Sequence, residues 1–244
     1  MSKKDSFWIP YADLMTVLMV IFLFISLAYM GLVQFQKNQQ DQIFKEYKQT
    51  RETLYKELDE TFTEKFKSYN LKVNPDLSIQ ITDANALFPV QFYDQEVILT
   101  DRFKTFLTDF TPLFLSIILK DRYLKSISEI RIEGHTALQT EDKETDKTYY
   151  QKMLILSQKR SNKVLEHMMN LNCYDQLSES KKSLLRFITT SNGLAYGRAL
   201  DTDGKFKFLS GKSINTEKSM RVEFRIVTTS DKLVEKVIQQ MQNK

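Results

Sequence analysis

One cysteine, two histidines, six glycines and four prolines in 244 residues leave few routes to chemistry. The lone Cys173 excludes an internal disulfide and any cysteine-based zinc site. His135 and His167 lie in unrelated settings and are too few for a histidine metal centre. So little glycine leaves no Gly-rich phosphate loop, and neither a Walker nor a dinucleotide pattern appears. Charge of one sign is not concentrated either: 35 Lys and Arg against 31 Asp and Glu give a net +4, with the signs interspersed. That pattern provides no electrostatic footprint for nucleic acid. No nucleophile–base pair or metal-ligand set stands out, so the chain does not read as an enzyme and calls for no cofactor.

What the sequence does have is one long apolar run. Residues 7–33 read FWIPYADLMTVLMVIFLFISLAYMGLV, with Asp13 as the only acidic or basic side chain. As a helix this run extends roughly 40 Å, more than the ~30 Å of a bilayer's hydrocarbon core. A carboxylate inside such a span costs on the order of 3 kcal/mol on insertion scales, so it usually faces a partner helix or an aqueous path and marks ion handling. Thr16, one turn along, either coordinates an ion through its hydroxyl or back-bonds to its own helix. Three other readings compete, one of them a buried helix of a soluble domain, against which the length and near-continuous apolarity of the run count. A cleaved signal peptide would end near Ala28, but the apolar stretch continues through Tyr29, Met30, Leu32 and Val33, beyond the length of a signal core. A span beginning at Leu14 would leave Asp13 at the interface. Lys3 and Lys4 precede the run and Lys37 follows it, a weak charge bias. The very short leading segment favours a cytoplasmic amino terminus with the large domain exported.

Beyond the run, 34–70 is polar and lacks glycine and proline. Phe44, Tyr47, Leu54, Leu58, Phe62, Phe66 and Tyr69 recur mostly three or four apart, a narrow helical stripe. It suits either a solvated connector or a short parallel coiled coil joining two copies. From residue 71 onward the pattern alternates between strands and helices. Strands are expected at 77–81, 127–133, 187–190 and 220–227, and a turn at Ser191-Asn192-Gly193. Helices are expected from Arg102, capped by Asp101 and interrupted at Thr111-Pro112, over 150–171, near 179–185, and from Asp231 to about Met241. Thr140 to Lys147 reads as a charged loop. The fold class is α/β, a mixed sheet covered by helices. The domains are a tail (1–6), a transmembrane helix (7–33), a connector (34–70), the α/β domain (71–230) and a last helix (231–244).

Two separated segments resemble one family. Trp8-Ile9-Pro10-Tyr11-Ala12-Asp13-Leu14-Met15-Thr16 resembles the membrane signature of the B subunits of bacterial stator motors, the MotB family. In the fuller form FWIPYADLMTVLM it looks most like the branch found in Zorya anti-phage systems. Ile130-Arg131-Ile132-Glu133-Gly134-His135-Thr136, Leu156-Ser157-Gln158-Lys159-Arg160, Tyr196-Gly197 and Arg221-Val222-Glu223-Phe224 follow the order of an OmpA-like peptidoglycan-binding domain.

The resemblance implies that Asp13 carries a translocated proton or sodium ion, with Thr16 assisting. It also implies that Thr136, Ala137, Leu156, Arg160 and Arg221 mark the peptidoglycan-binding site. It further implies a homodimer surrounded by five multi-span A subunits in a bacterial inner membrane, with the α/β domain in the periplasm on the cell wall. Three positions depart from the family pattern. Ala137 stands where the family has an aspartate that grips the wall polymer's amino-acid stem, Met153 where it has asparagine, and Ser219-Met220-Arg221 where it has Asn-Arg-Arg. A flagellar-type stator and a passive wall anchor are the alternatives.

Overall fold

The computed structural model describes residues 8–82, 87–89, 96–137 and 146–229. It divides into two units, Met1–Lys48 and Gln49–Lys244. Helix α1 (Trp8–Phe62) begins in the first and ends in the second. Within the first unit, Tyr11–Gln42 is long and apolar enough to cross a membrane, and none of its most apolar window is buried. Side chains such as Leu18, Phe22 and Ile25 stay exposed, as on a surface made for lipid or for other helices.

The second unit is built on a five-stranded sheet in the order β1-β2-β5-β3-β4. Its strands are β1 (Leu71–Val73), β2 (Ser78–Ile81), β3 (Ile127–Gly134), β4 (Thr189–Gly193) and β5 (Val222–Thr228). All pairs are antiparallel except β3 with β4. The parallel pair is joined by a crossover containing α3 (Lys147–Met169) and α4 (Glu179–Ile188), as parallel neighbours require. With α2 (Asp101–Ile118) these helices cover one face of the sheet, the mixed α/β arrangement expected from the sequence.

The core is rich in phenylalanine. On α2, Phe103, Phe106, Phe110 and Phe114 form a stacked row with successive centroids 5.2–5.7 Å apart. Phe110 meets Phe224 of β5 at 4.9 Å and Phe62 of α1 at 4.8 Å. The later half of the connector stripe therefore finds its partner within its own chain. Leu54, Leu58, Phe62 and Phe66 are all buried in the main core. The α/β domain thus begins about twenty residues before the expected boundary, and these four side chains do not face a second copy. Phe44, earlier in the stripe, is exposed.

Other boundaries also move. Helix α2 runs through Pro112 without interruption. Pro112 and Thr108, whose carbonyl loses its usual donor, both lie on the exposed side, where water replaces the missing bond while the apolar face continues beneath. The cap of α2 is Thr100, whose hydroxyl accepts from the Phe103 N–H; Asp101 occupies the first turn. Phe187 and Ile188 finish α4, so β4 starts at Thr189 and takes in Ser191, Asn192 and Gly193, the expected turn. The expected last helix and most of the charged loop lie outside the described residues.

Glu57 fixes α1 to this core. Its carboxylate accepts from Lys120, Arg122 and the Tyr123 hydroxyl, the last at 2.8 Å. Burial alone pushes the Glu57 carboxyl up, but those three donors together outweigh it and hold it below the usual carboxylate range. Burial, with the bond to Glu57, pushes Tyr123 up to about 12. A depressed carboxyl pKa adds stability that is complete above its unfolded value and is lost as pH falls through the folded one. Glu57→Gln should therefore cost about 1–2 kcal/mol near pH 7. In urea unfolding, the difference from wild type should shrink below about pH 4.

Candidate functional site

The site region is organised by two glycines that face each other. Gly134 ends β3 and Gly193 ends β4, paired in register. Helix α3 lies directly on them: a Cβ on Gly134 would stand 2.2 Å from the Ser157 carbonyl oxygen, and one on Gly193 would stand 2.4 Å from the Gln158 nitrogen. Polar groups lock the contact. The Gln158 amide donates to the Ser191 carbonyl at 3.0 Å and accepts from the Gly193 N–H at 2.8 Å. Ser157 Oγ accepts from the N–H of Ala195, whose φ of +47° holds a sharp turn after β4. The carbonyl of Ala195 in turn accepts from the Thr136 N–H at 2.9 Å.

That scaffold places the expected residues. Thr136 and Ala137 emerge from β3 beside the Ala195–Tyr196 turn, both buried, and the Thr136 hydroxyl has no hydrogen-bond partner. Arg160 lies one turn after Leu156 on α3. Its guanidinium stacks on the Phe88 ring, 4.9 Å from the centroid, and its Nε is out of contact with solvent and unpartnered. Burial lowers its pKa to about 10. A guanidinium so far desolvated retains its charge at neutral pH and favours an incoming carboxylate. Phe88 is a site residue the sequence did not reveal, because it comes from an irregular segment with no periodicity.

Two further expected contact residues lie inside the domain. Leu156 is buried in the main hydrophobic core. The Arg221 side chain is fully buried. Its Nε pairs with Glu223 at 3.1 Å and its Nη1 reaches the carbonyls of Arg198 and Ser219, so it supports the fold from within.

Arg221 belongs to an ionic network on the sheet face opposite Ile130 and Ile132. Glu133 of β3 and Glu223 of β5 are cross-strand partners and both buried, a like-charge pairing that needs compensation. Arg198 reaches Glu133 at 3.2 Å, while Arg225 bonds Glu223 and ties Asp76 at 2.8 Å. His135 sits 3.7 Å from both carboxylates. Burial and then Arg221 push its pKa well below the ordinary value, so it is neutral. Glu133, His135 and Glu223 bring three ligand atoms within 4.8 Å of one another. Both carboxylates are already engaged by arginines, which makes the set a poor cation site, while both His135 ring nitrogens and the Arg221 Nη2 are buried without a hydrogen-bond partner. The charged residues alternating along β3 and β5 were its only sequence signal.

On α1, Asp13 is exposed, and the Thr16 hydroxyl donates to the Ala12 carbonyl at 2.8 Å, the back-bonded state.

These features define a two-part chain: an apolar helical stretch up to Val33 in which Asp13 is the one carboxylate, and a mixed α/β domain with a desolvated arginine on a glycine-seated helix. Along nearly its whole length the chain is similar to the Zorya protein ZorB of Escherichia coli, at 29% identity over 98% of this chain and 96% of that one. No protein-family model matches it. Among solved structures, similarity extends to the cell wall anchor of the type VI secretion system from Pseudomonas aeruginosa. That match has 14% identity and a TM-score of 0.41, covering 70% of this chain and 96% of that one. The periplasmic domain of Helicobacter pylori MotB aligns at 14% identity and a TM-score of 0.39, covering 68% and 84%.

Gly134→Ala tests the scaffold. Its methyl has only backbone to push against, so a loss of about 3 kcal/mol, at the upper end for overpacking, is expected in chemical denaturation followed by near-UV circular dichroism. Gly197→Ala, where the nearest atom is 3.5 Å away, is expected to cost less than about 1 kcal/mol.

Proposed function

We propose that this chain is the B subunit of an ion-driven motor of the Zorya anti-phage type, spanning the bacterial inner membrane once, with its α/β domain on the peptidoglycan. The observation that carries this reading is the coincidence of a single carboxylate, Asp13, in the exposed apolar run that ends at Val33 with whole-length similarity to ZorB. In the cycle, a proton or sodium ion neutralises Asp13 and removes the cost of a charge in lipid. Release to the other side restores it. Two copies loaded alternately change their preferred contacts with five surrounding multi-span A subunits and so turn ion flow into rotation. Thr16, whose proton is committed to Ala12, offers only oxygen lone pairs to a passing cation. The chain itself performs no hydrolysis in this scheme.

Asp13→Asn is expected to abolish protection of cells against phage while leaving the level of membrane-embedded complex unchanged. Unchanged protection would leave only the passive anchor.

The wall-binding half of the proposal rests on Arg160, with Phe88 as its platform and Thr136 nearby in sequence to the missing aspartate. A lost charged contact of about 1.5–3 kcal/mol weakens binding roughly ten- to a hundredfold, so Ala137 makes this a weak wall binder. In cosedimentation of the full chain with purified wall sacculi, Ala137→Asp should tighten binding at least tenfold and Arg160→Ala should abolish it. Equal sedimentation of all three would remove this site from the assignment.

A further inference from the structure

We infer that the α/β domain holds a second binding site, a pocket for a short-chain carboxylic acid beneath the helical layer and away from Arg160. The pocket has a volume of about 160 Å³. Its walls are Phe114 of α2, Ile130 and Ile132 of β3, and Met168 of α3. Protein interiors contain few voids larger than a water molecule, and an apolar cavity of about 150 Å³ suffices to take up benzene. A space of this size among well-packed phenylalanines is therefore a place for an occupant.

Two hydroxyls in the lining point to what the occupant carries. The Thr111 Oγ1 and the Tyr174 phenolic oxygen are both buried and both without a hydrogen-bond partner. Thr111 is the informative one. In the same helix, Thr105 and Thr108 are exposed, yet each donates its hydroxyl to the carbonyl four residues back. Thr111, wholly desolvated and more in need of that bond, does not make it. Buried polar groups are satisfied as a rule, and an orphan pair lining one cavity marks where a ligand oxygen belongs.

The open side carries the charge. Arg186 lines the pocket, with its side chain about half exposed. It is held by the Ser183 hydroxyl at 3.0 Å and more loosely by the exposed Glu179 at 3.8 Å. A carboxylic acid held here would place its oxygens on the Thr111 and Tyr174 hydroxyls and on Arg186, in place of distant Glu179, and lay its chain against Ile130, Ile132 and Phe114. The volume, close to that of a cavity that takes up benzene, suits a chain of about six carbons.

The test uses the full-length chain in amphipol, with sodium hexanoate as probe, read by saturation-transfer NMR and by melting temperature. Saturable binding with a rise in melting temperature is expected, weakened about tenfold by Arg186→Gln and about fivefold by Thr111→Val. Thr111→Val removes the hydroxyl at nearly constant volume. Leu165→Phe, which fills the pocket, should abolish binding. Should that variant fold poorly, the two milder substitutions still decide the matter. Non-saturable uptake, equal binding by all variants, or equal binding of uncharged hexanol would each overturn the proposal. Because Asp13 and Arg160 are untouched, wall sedimentation and phage protection remain separate measurements.

Discussion

The close seating of helix α3 on the paired glycines Gly134 and Gly193 is the contact on which the rest of the domain's site depends. No side chain fits between helix and sheet there, so backbone meets backbone and the register of α3 is set by Ser157 and Gln158. Everything downstream follows from that register. Ser157 holds the Ala195 turn, the turn receives the Thr136 N–H, and the next turn of α3 delivers Arg160 onto Phe88. A guanidinium is useful for binding a carboxylate only if it is kept from water without being neutralised internally, and the stack on an aromatic face achieves that.

The two faces of the sheet divide the labour. One is apolar, filled by Ile130, Ile132, Phe224 and the phenylalanine row of α2. The other carries Glu133, Glu223, Arg221 and Arg225 in a buried ionic network, in which the Arg221 Nη2 alone of its guanidinium nitrogens is left without a hydrogen-bond partner. Removing one charge from such a set leaves its partner buried and uncompensated, which is why these residues act structurally although they look like a site.

Much of this was legible beforehand. Val222, Phe224 and Ile226 alternate, and period-two alternation reports a strand directly. The order of short motifs singles out Thr136 and Arg160, which the fold sets at the end of β3 and on α3, and Asp13 is visible in the apolar run from the sequence alone. Misreadings came where local rules met tertiary context. Thr111-Pro112 reads as an interruption, but a proline on the wet side of a helix loses only a bond that water replaces. Phe187 and Ile188 look like strand residues, yet Ile188 is needed on the helical layer. The stripe from Leu54 to Phe66 announced a buried face correctly, but periodicity cannot tell whether the covering surface belongs to the same chain or to a twin. Arg221 matched a motif and proved to be internal, since a motif records residue type and not accessibility.

The phenylalanine contacts and the Glu57 clamp at the end of α1 carry a practical corollary for dissecting this molecule. The globular part owns its stretch of α1 from about Gln49 onward. A fragment cut at the motif-defined border near residue 71 would be stripped of Leu54, Leu58, Phe62 and Phe66, opening a trench along the phenylalanine row. Any autonomous version of the domain must therefore keep a helical prologue that, by composition alone, looks like disposable spacer.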